Sequence, residues 1–501
     1  MSQKLFIRAD ASAQIGTGHV MRCLSLAETW QRAGGRVTFF SANLPQALQQ
    51  KLAEMKISLV PILHSPGSAE DCAFLAEHVR DTASWIVLDG YHFDASFQRQ
   101  LKETGPWTLV VDDFGNARKY CADLVLDQNL GVTDSLYDNK GEQTRLLLGS
   151  RYVLLRQEFL KWRGRSQSIS TVANKILVTL GGSDPDNATS LVLRALQETK
   201  IADLDVTIVV GGSNPHFETI KDLAATSLFK VRLLRGVSNM AELMAETDLA
   251  ISASGTTSWE LAFMGVPFAT IVLAENQRGI AQQLEASGVS KNLGWHNATS
   301  PSAIARTVLP LLTDDATRAE MSRRGRNLID GDGSFRVWLH LNEQMITLRN
   351  ATLDDAKTIL NWANQSDVRK VSFSQDAISW EKHLPWLETK LQSNNCELWI
   401  ACDAERKPIG QIRFDLDGDQ ATISISLDAS ARGKNFGPLV IWNGCRRLFK
   451  KTTVKSIDAF IKPDNAKSIR AFQKVGFKQA ASKTVNGQQA LFFQLWSEDL
   501  A

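Results

Sequence analysis

A histidine that directly follows a glycine turn is the residue of this sequence best suited to acid–base chemistry. The segment Gly16-Thr17-Gly18-His19 comes after the apolar run 5–7 and begins a stretch with helical spacing. Imidazole titrates closest to neutral pH, and the start of a helix disfavours its charged form. We therefore expect His19 to be neutral and able to accept a proton, as a general base must. A helix cap or a packed surface residue is the alternative for this histidine taken alone.

A second glycine cluster has the features of a phosphate-binding loop. Ser254-Gly255-Thr256 follows the apolar run 249–251 and begins another helical pattern. Backbone N–H groups at such a helix start bind phosphate oxygens. Glu260 lies about 6 Å further along the helix, at ~1.5 Å per residue, where it could reach ribose hydroxyls without repelling the phosphates. The alternative is an ordinary strand-turn-helix with a surface glutamate.

Composition limits the classes of function. The chain has 501 residues and a net charge of +2, and it contains no basic tail, so we expect small-molecule partners rather than nucleic acid. No apolar stretch approaches the ~18–20 residues of a membrane span. The six cysteines have no metal-ligand spacing, which is typical of reduced thiols in a cytoplasmic protein. The sequence alone leaves the oligomeric state open.

The order of apolar runs predicts three domains. Unbroken apolar runs alternate with helical patterns up to about residue 344, as in parallel sheets covered by helices on both faces, and the polar stretch 161–174 separates two such units. From about residue 345, short strands joined by turns indicate a mixed α+β domain. We expect an α/β fold of two doubly wound Rossmann-type domains, 1–165 and 166–344, followed by an α+β domain, 345–501.

Several acids near the ends of apolar runs raise the question of a metal site. These residues, with one histidine among them, are Asp89, His92, Asp94, Asp112 and Asp113. Acids are common turn formers at strand ends, and the spacing matches no known set of metal ligands. We therefore interpret Asp89 and Asp112, which end apolar runs, as turn residues and expect no metal.

Four motifs in the first two domains resemble one family when taken together. Segments 16–23, 155–159, 181–187 and 252–260 resemble the UDP-2,4-diacetamido-2,4,6-trideoxy-β-L-altropyranose hydrolases of pseudaminic acid biosynthesis, over roughly residues 1–340. That family is related to the GT-B glycosyltransferases, especially the one that adds N-acetylglucosamine to lipid-linked muramyl pentapeptide. The resemblance implies a GT-B-like pair of domains and metal-free attack of water on the anomeric carbon of a UDP-sugar, with His19 as the general base.

The same resemblance implies the other residues of this site. Asn276 and Gln277 match the position from which related GT-B enzymes touch the sugar or diphosphate, and Glu260 matches the ribose-binding acid. The predicted substrate- and UDP-binding residues are Gly16, Thr17, Gly18, Gly181, Gly182, Ser183, Ser254, Gly255, Thr256, Glu260, Asn276 and Gln277.

Residues 346–501 resemble the GNAT acetyltransferases, which implies acetyl-CoA as cosubstrate. The loop 432–437 is close to the family's pyrophosphate-binding loop, although Asn435 replaces its middle glycine; if that position needs positive φ, Asn is a tolerant substitute. Phe472 replaces the tyrosine that serves many members as the acid, so we assign no general acid. The predicted acetyl-CoA-binding residues are Leu427, Arg432, Gly433, Lys434, Asn435, Phe436, Gly437 and Asn465.

The pairing of the two resemblances implies two successive reactions. The GNAT domain would acetylate the 4-amino group of UDP-4-amino-4,6-dideoxy-N-acetyl-β-L-altrosamine, and the GT-B-like pair would hydrolyse the product to free sugar and UDP. Two alternatives stay open. The first is a GT-B glycosyltransferase that uses a UDP-amino sugar, and the second is a non-catalytic or protein-acetylating GNAT module.

Overall fold

The computed structural model of the chain describes residues 4–12, 15–80, 83–115, 117–165, 168–182, 184–201, 203–212, 214–237 and 239–500. It divides into two units, Met1–Val337 (unit 1) and Trp338–Ala501 (unit 2). Unit 1 contains two parallel sheets and unit 2 a mixed sheet. No helix of these described stretches is both long and apolar enough to cross a membrane.

The first sheet of unit 1 is built from the apolar runs of the N-terminal third. Its described strands are β1 (Lys4–Ala9), β2 (Arg36–Ser41), β3 (Ser58–Pro61), β4 (Trp85–Asp89), β5 (Trp107–Asp112), β6 (Leu124–Asp127) and β7 (Arg145–Leu148). The helices between and after them are α1 (Gly18–Arg32), α2 (Gln46–Glu54), α3 (Ala69–His78), α4 (Ala95–Glu103) and α5 (Gln157–Leu160). All pairings are parallel, in the order β3-β2-β1-β4-β5-β6-β7. Successive strands are added on one side of β1 up to β3 and on its other side from β4 to β7, which is the doubly wound pattern.

The second sheet of unit 1 repeats that plan. Its described strands are β8 (Lys175–Thr179), β9 (Asp205–Val210), β10 (Lys230–Arg235), β11 (Leu249–Ala253), β12 (Phe268–Val272) and β13 (Ser290–Trp295). The accompanying helices are α6 (Ala188–Glu198), α7 (Phe217–Ala225), α8 (Met240–Ala245), α9 (Thr257–Met264), α10 (Arg278–Ala286), α11 (Pro301–Thr313), α12 (Asp315–Leu328) and α13 (Gly333–Leu341). The parallel order is β10-β9-β8-β11-β12-β13, and a separate apolar cluster packs on each face of the sheet. Burial on both faces explains why these strands lack apolar–polar alternation.

In each parallel sheet, the point at which the strand order reverses lies beside a glycine motif. Strand order reverses between β1 and β4 in the first sheet and between β8 and β11 in the second. Ligands of such sheets bind beyond the carboxyl ends of the strands at these points. The turn into α1, with His19, leaves the first switch point, and the turn into α9 leaves the second.

Unit 2 has a mixed sheet whose pairings are antiparallel except for one. Its described strands are β14 (Ile346–Asn350), β15 (Cys396–Asp403), β16 (Pro408–Asp417), β17 (Gln420–Leu427), β18 (Ser456–Ile461), β19 (Lys478–Gln479), β20 (Lys483–Val485) and β21 (Gln488–Trp496). Its helices are α14 (Ala356–Ala363), α15 (Ser366–Val371), α16 (Trp380–Gln392), α17 (Phe436–Lys451) and α18 (Ala466–Val475). The order is β14-β15-β16-β17-β18-β21-β19, with β20 on β21. The predicted fold class, a GT-B-like pair followed by a mixed α+β domain, is confirmed.

The parallel pair in unit 2 is incomplete. β17 and β18 pair only at Gln420, Ala421 and Thr422, opposite residues 456–458. Beyond that point β17 continues to Leu427 and β18 to Ile461 without pairing to each other. The sheet therefore opens into a fork, and unpaired strand edges of this kind are available to a ligand with amide groups.

Candidate active site between the two halves of unit 1

His19 lies in the first turn of α1, beside a buried carboxylate. Its Nδ1 is 2.6 Å from Oδ1 of Asp89, the last residue of β4. β1 and β4 are neighbours in register, with Ala9 opposite Asp89, so the turn into α1 passes over the end of β4. Because an ionised Asp89 can only accept, the Nδ1–H of His19 donates to it, and Nε2 keeps the lone pair that takes up a proton.

Arg22 fixes the charge of that carboxylate. Its Nε and Nη2 each lie 2.7 Å from an oxygen of Asp89, and Nη1 lies 2.5 Å from Asp113. Burial opposes ionisation of Asp89, but the Arg22 guanidinium and His19 outweigh it and hold the pKa of that carboxyl well below its usual range. Burial likewise opposes the charge of Asp113, and Arg22 keeps its pKa below the usual value. Both acids are therefore ionised at neutral pH.

Tyr91 joins the two halves of unit 1 at this point. Its ring packs edge-on against His19, with ring centroids 5.1 Å apart. Its hydroxyl donates to Asp113 at 2.7 Å and accepts from Nδ2 of Asn276 at 2.9 Å. Burial and the neighbouring Asp113 raise the pKa of Tyr91, so the phenol keeps its proton. Asn276, a predicted site residue, thus reaches the catalytic side of the cleft through Tyr91.

A cavity of about 330 Å³ lies between the two halves and contains most of the predicted site residues. Its wall includes the predicted residues Gly16, Thr17, Gly18, His19, Gly181, Gly182, Gly255, Thr256, Asn276 and Gln277. Ser254 and Glu260, both described, are buried outside that wall. Ser183 lies outside the described residues.

Two helix starts face each other across this cavity. α1 begins after Thr17 and α9 after Thr256, and neither N-cap side chain accepts a hydrogen bond from its own helix. A Cβ added to Gly18 would lie only 3.9 Å from Oγ1 of Thr256, so the two turns are close. The free N–H groups and the positive ends of both helix dipoles point to an anionic ligand between them.

The glycine pairs of the second sheet bring backbone against backbone. A Cβ at Gly211 would lie 1.8 Å from the carbonyl oxygen of Gly182, closer than any side chain allows. Gly181 has φ +90°, which glycine adopts without strain. Since Gly182 also lies beside Thr17, this contact helps to set the shape of the cavity wall.

Glu260 has a protein partner that the sequence did not indicate. Nε of Arg156 lies 2.6 Å from Oε1 of Glu260, and its Nη1 lies 2.9 Å from Glu158. Burial opposes the charge of Arg156, but Glu260 and Glu158 outweigh it and raise its pKa. Oε1 of Glu260 is paired with Arg156. Binding of ribose by Glu260 would therefore have to use Oε2.

Of the acids near strand ends, two accept hydrogen bonds from backbone N–H groups of their own turns, and Asp89 binds side chains instead. Asp112 accepts from Gly115 N and is a turn former, as interpreted, and Asp94 accepts from Phe97 N and caps α4. For Asp89 that interpretation is wrong, because its carboxylate is buried and binds His19 and Arg22 instead. Two signals in the sequence could have found it: Arg22 lies three residues after His19 on one helix face, and β4 ends in an acid. Within the described stretches, no three His, Cys, Asp or Glu side chains cluster as a metal site.

A buried acid below the cavity shares one phenol proton with another acid. Oη of Tyr137 lies 2.8 Å from both Asp112 and Asp127. A phenol has a single proton, so Tyr137 cannot donate to both acids at once; below the pKa of Asp127, this carboxyl keeps a proton and can donate to Tyr137 instead. Burial raises the pKa of Asp127 to about 6. Above that pH, ionisation of Asp127 leaves a buried charge.

We expect Asp127→Asn to stabilise unit 1 at pH 8 by about 1–3 kcal/mol. Because the folded state binds this proton more tightly than the unfolded chain, stability of the parent falls as pH rises from about 4 to about 6. The amide donates permanently and removes that loss. Calorimetry of the full chain at pH 4 and pH 8, with the exposed Asp138→Asn as control, tests this. Equal transition temperatures of parent and variant at pH 8 would contradict it.

The loop predicted to bind acetyl-CoA has the backbone of an anion site. Gly433 has φ +75° and Asn435 has φ +61°, so the middle position does need the left-handed conformation that Asn tolerates. α17 begins directly after it at Phe436. Arg432 points elsewhere: its Nε and Nη2 donate to the carbonyl oxygen of Leu427, and Nη1 pairs with Asp367. The described contacts of Arg432 therefore close the end of β17, and its guanidinium is already engaged there.

The two remaining GNAT positions lie at the start and within α18. Oδ1 of Asn465 accepts from Ser468 N at 3.2 Å and caps the helix, which leaves both of its amide N–H groups able to donate to a ligand. Phe472 is buried against Phe477, with ring centroids 4.9 Å apart. It is a core residue and does not supply the proton that tyrosine supplies in many GNAT enzymes.

Comparisons with known proteins agree with this division of the chain. Residues 176–330 match the model of the glycosyltransferase family 28 C-terminal domain, and residues 345–478 match that of the acetyltransferase (GNAT) domain. An uncharacterised protein of Methanocaldococcus jannaschii is 23% identical, covering 97% of this chain and 98% of its own length.

A further curated protein and one solved structure each cover more than half of the chain. The UDP-2,4-diacetamido-2,4,6-trideoxy-β-L-altropyranose hydrolase of Campylobacter jejuni is 26% identical, covering 57% of this chain and 97% of that protein. The crystal structure of Acinetobacter baumannii MurG is 15% identical with a TM-score of 0.48, covering 68% of this chain and 100% of that one. The predicted combination is confirmed: this chain is a relative of the UDP-sugar hydrolases that carries a GNAT acetyltransferase domain behind them.

Proposed function

We propose that unit 1 hydrolyses a UDP-2,4-diacetamido-2,4,6-trideoxy sugar and that unit 2 makes this substrate by N-acetylating the 4-amino group of its precursor with acetyl-CoA. The observation that carries the first half is His19, which lies in the wall of a cavity bounded by two uncapped helix starts and is paired at 2.6 Å with the buried Asp89. A base and an anion site in one cavity are what cleavage of a sugar–diphosphate bond needs.

In this mechanism Nε2 of His19 takes a proton from a water molecule, whose oxygen attacks the anomeric carbon. The bond from that carbon to the diphosphate oxygen breaks, and UDP leaves with the electron pair. Asp89 holds the imidazole in the tautomer with Nδ1–H and stabilises the imidazolium that forms. The N–H groups at the starts of α1 and α9 receive the charge that develops on the diphosphate.

For the nucleotide itself, we propose the loop Ser254-Gly255-Thr256 for the diphosphate and the second oxygen of Glu260 for the ribose. Gly16, Thr17, Gly18, Gly181, Gly182, Asn276 and Gln277 would complete the site, as expected from the sequence. We also propose that the domains of the chain end at residues 165 and 344.

For unit 2, the left-handed positions Gly433 and Asn435 before α17 support binding of the acetyl-CoA pyrophosphate. The pantetheine arm, which has two amide groups, would then run into the fork between β17 and β18, past the amide of Asn465. The unpaired edges of the fork supply partners for those amides. The acetyl group would reach the base of the fork, where an amine can attack it.

The full chain, supplied with UDP-4-amino-4,6-dideoxy-N-acetyl-β-L-altrosamine and acetyl-CoA, tests both halves in one reaction followed by mass spectrometry. We expect CoA, UDP and the free diacetamido sugar. Acetyl transfer without release of UDP would contradict the hydrolase half. Failure to acetylate the amino sugar, with the pre-acetylated sugar still hydrolysed, would contradict the acetyltransferase half.

A further inference from the structure

Two charged residues of one sheet face, at and just after β18, form no ion pair with any described residue of unit 2. Asp458 and Lys462 lie four positions apart, the first in the strand and the second just after it, so their side chains share one face. They are only 9% and 8% exposed. Asp458 sits opposite Thr422, the last pair before β17 and β18 diverge. Its carboxylate therefore lies at the base of the fork.

The neighbouring charges of this face compensate one another. Asp415 on β16 pairs with Arg413 at 3.0 Å and with Lys390 of α16 at 2.7 Å. Asp458 is left with one neutral donor, because Nε2 of Gln494 on β21 donates to its Oδ1 at 3.0 Å. In the described part of the chain its second oxygen has no hydrogen-bond donor. That oxygen is therefore open to a cationic ligand, and such a ligand would compensate the charge of a carboxylate that is largely withdrawn from water.

Lys462 is likewise a largely buried charge with little compensation, and its charge is positive. Its Nζ lies 5.9 Å from the centroid of the Phe373 ring, a weak cation–π contact. No carboxylate among the described residues lies within ion-pair distance of it. Between Lys462 and Asp458, the Phe460 ring stacks on Phe492 with centroids 5.4 Å apart. Nζ of Lys483 lies over this stack, 3.9 Å from the centroid of the Phe492 ring. The face thus presents an anion, a pair of stacked rings under one lysine, and a second lysine.

We propose that this face is the acceptor site of unit 2 and that the acceptor is an amine which also carries a phosphate group. The amine binds Asp458 at the base of the fork, and the phosphate binds Lys462. Four strand residues separate the two Cα atoms by about 13 Å, at ~3.3 Å per residue. An amino sugar attached to a nucleoside diphosphate has its amine and its phosphates on opposite sides of one ring. This assignment rests on the proposed acetyl transfer and specifies how its substrate is recognised.

In the reaction, the acceptor enters as an ammonium ion, and Asp458 takes one proton from it. The free amine attacks the thioester carbonyl, a C–N bond forms and the C–S bond breaks. CoA leaves as a thiolate and takes up the second proton that the nitrogen loses. Asp458 returns its proton to water, so the net products are an amide, CoA thiol and one proton. Asp458 therefore acts as a general base that touches the substrate.

Asp458→Asn tests the first contact. The amide keeps a hydrogen-bond acceptor for Gln494, so we expect the variant to fold. With the UDP-amino sugar as acceptor, kcat for CoA release should fall by roughly 10²–10⁴-fold, and KM should rise because the ammonium loses its charged partner. Activity of the variant should rise about tenfold per pH unit below the pKa of the amine, since solution then supplies the free base. An unchanged kcat, or a loss that is constant with pH, would overturn the assignment of a base.

Lys462→Met tests the second contact, with the exposed Lys455→Met as the matched control. For the UDP-amino sugar we expect KM to rise at least about tenfold with kcat nearly unchanged, and UDP to lose its competition with the acceptor. For the same amino sugar without its nucleotide, Lys462→Met should leave kcat/KM unchanged. Equal effects on both acceptors would overturn the phosphate contact. If the parent chain acetylates neither acceptor, the proposed function of unit 2 fails; if it acetylates them and both variants behave as the parent, this inference alone fails.

Discussion

Replacing His19 by alanine should lower the rate of UDP-sugar hydrolysis by roughly 10²–10⁴-fold, the range expected for loss of a general base. Acetyl transfer in unit 2 should continue at the parental rate, because its acceptor and acetyl-CoA sites contain no residue of α1. UDP release and CoA release, followed separately on the full chain, measure the two effects.

His64→Ala is the matched control for this experiment. His64 is an exposed histidine in the first half of unit 1 and lies outside the cavity wall, so its loss should leave both rates unchanged. The affinity for UDP, measured by titration calorimetry, should stay within a few fold in His19→Ala, since the backbone at the start of α1 remains. Unchanged UDP release in His19→Ala would remove this residue from the mechanism.

Asp89→Asn should lower hydrolysis by a comparable factor, although Asp89 does not line the cavity. An amide can donate to Nδ1 of His19, which then presents its N–H at Nε2, the wrong tautomer for a base. The loss should appear in kcat rather than KM, since the substrate is bound by other groups. Removing one partner of a buried ion pair also costs about 3–5 kcal/mol; with Asp113 still paired to Arg22, we expect the lower end of that range.

The control for this variant is Asp94→Asn in the same domain. Asn caps helices about as well as Asp, so its stability and activity should match the parent. Urea unfolding measures how much Asp89→Asn lowers the free energy of unfolding. We then measure kcat under conditions in which the variant is fully folded, so that a lower kcat reports on catalysis alone. A variant with parental kcat under those conditions would show that Asp89 supports the fold of the site but not the function of His19.

Patterns within short segments of the sequence were sufficient to predict the strands and helices that contain the site residues. Unbroken apolar runs identified the parallel strands, because a strand covered on both faces needs no polar residue. The glycine turns identified the starts of α1 and α9. Asn435 was expected to tolerate a left-handed conformation, and its φ of +61° shows that it adopts one.

The partners of these residues could not be predicted in the same way. Asp89 is 70 residues from His19 in sequence, and its role depends on the register of β4 against β1. Glu260 was correctly placed near the start of a helix, but its ion pair with Arg156 spans 104 residues. A pattern within one helix or strand contains no information about such contacts.

The sequence by itself determined three features that bear on the chemistry: a histidine at a helix start, glycine turns that begin helices, and a GNAT domain with an unusual Phe472. These features depend on neighbouring residues, whose types set backbone conformation directly. Only the tertiary structure decided which acid orients His19, that Tyr91 joins Asn276 to the catalytic side, and that Asp458 lies at the fork. These depend on strand order and register, which are fixed by the packing of whole sheets rather than by any short segment.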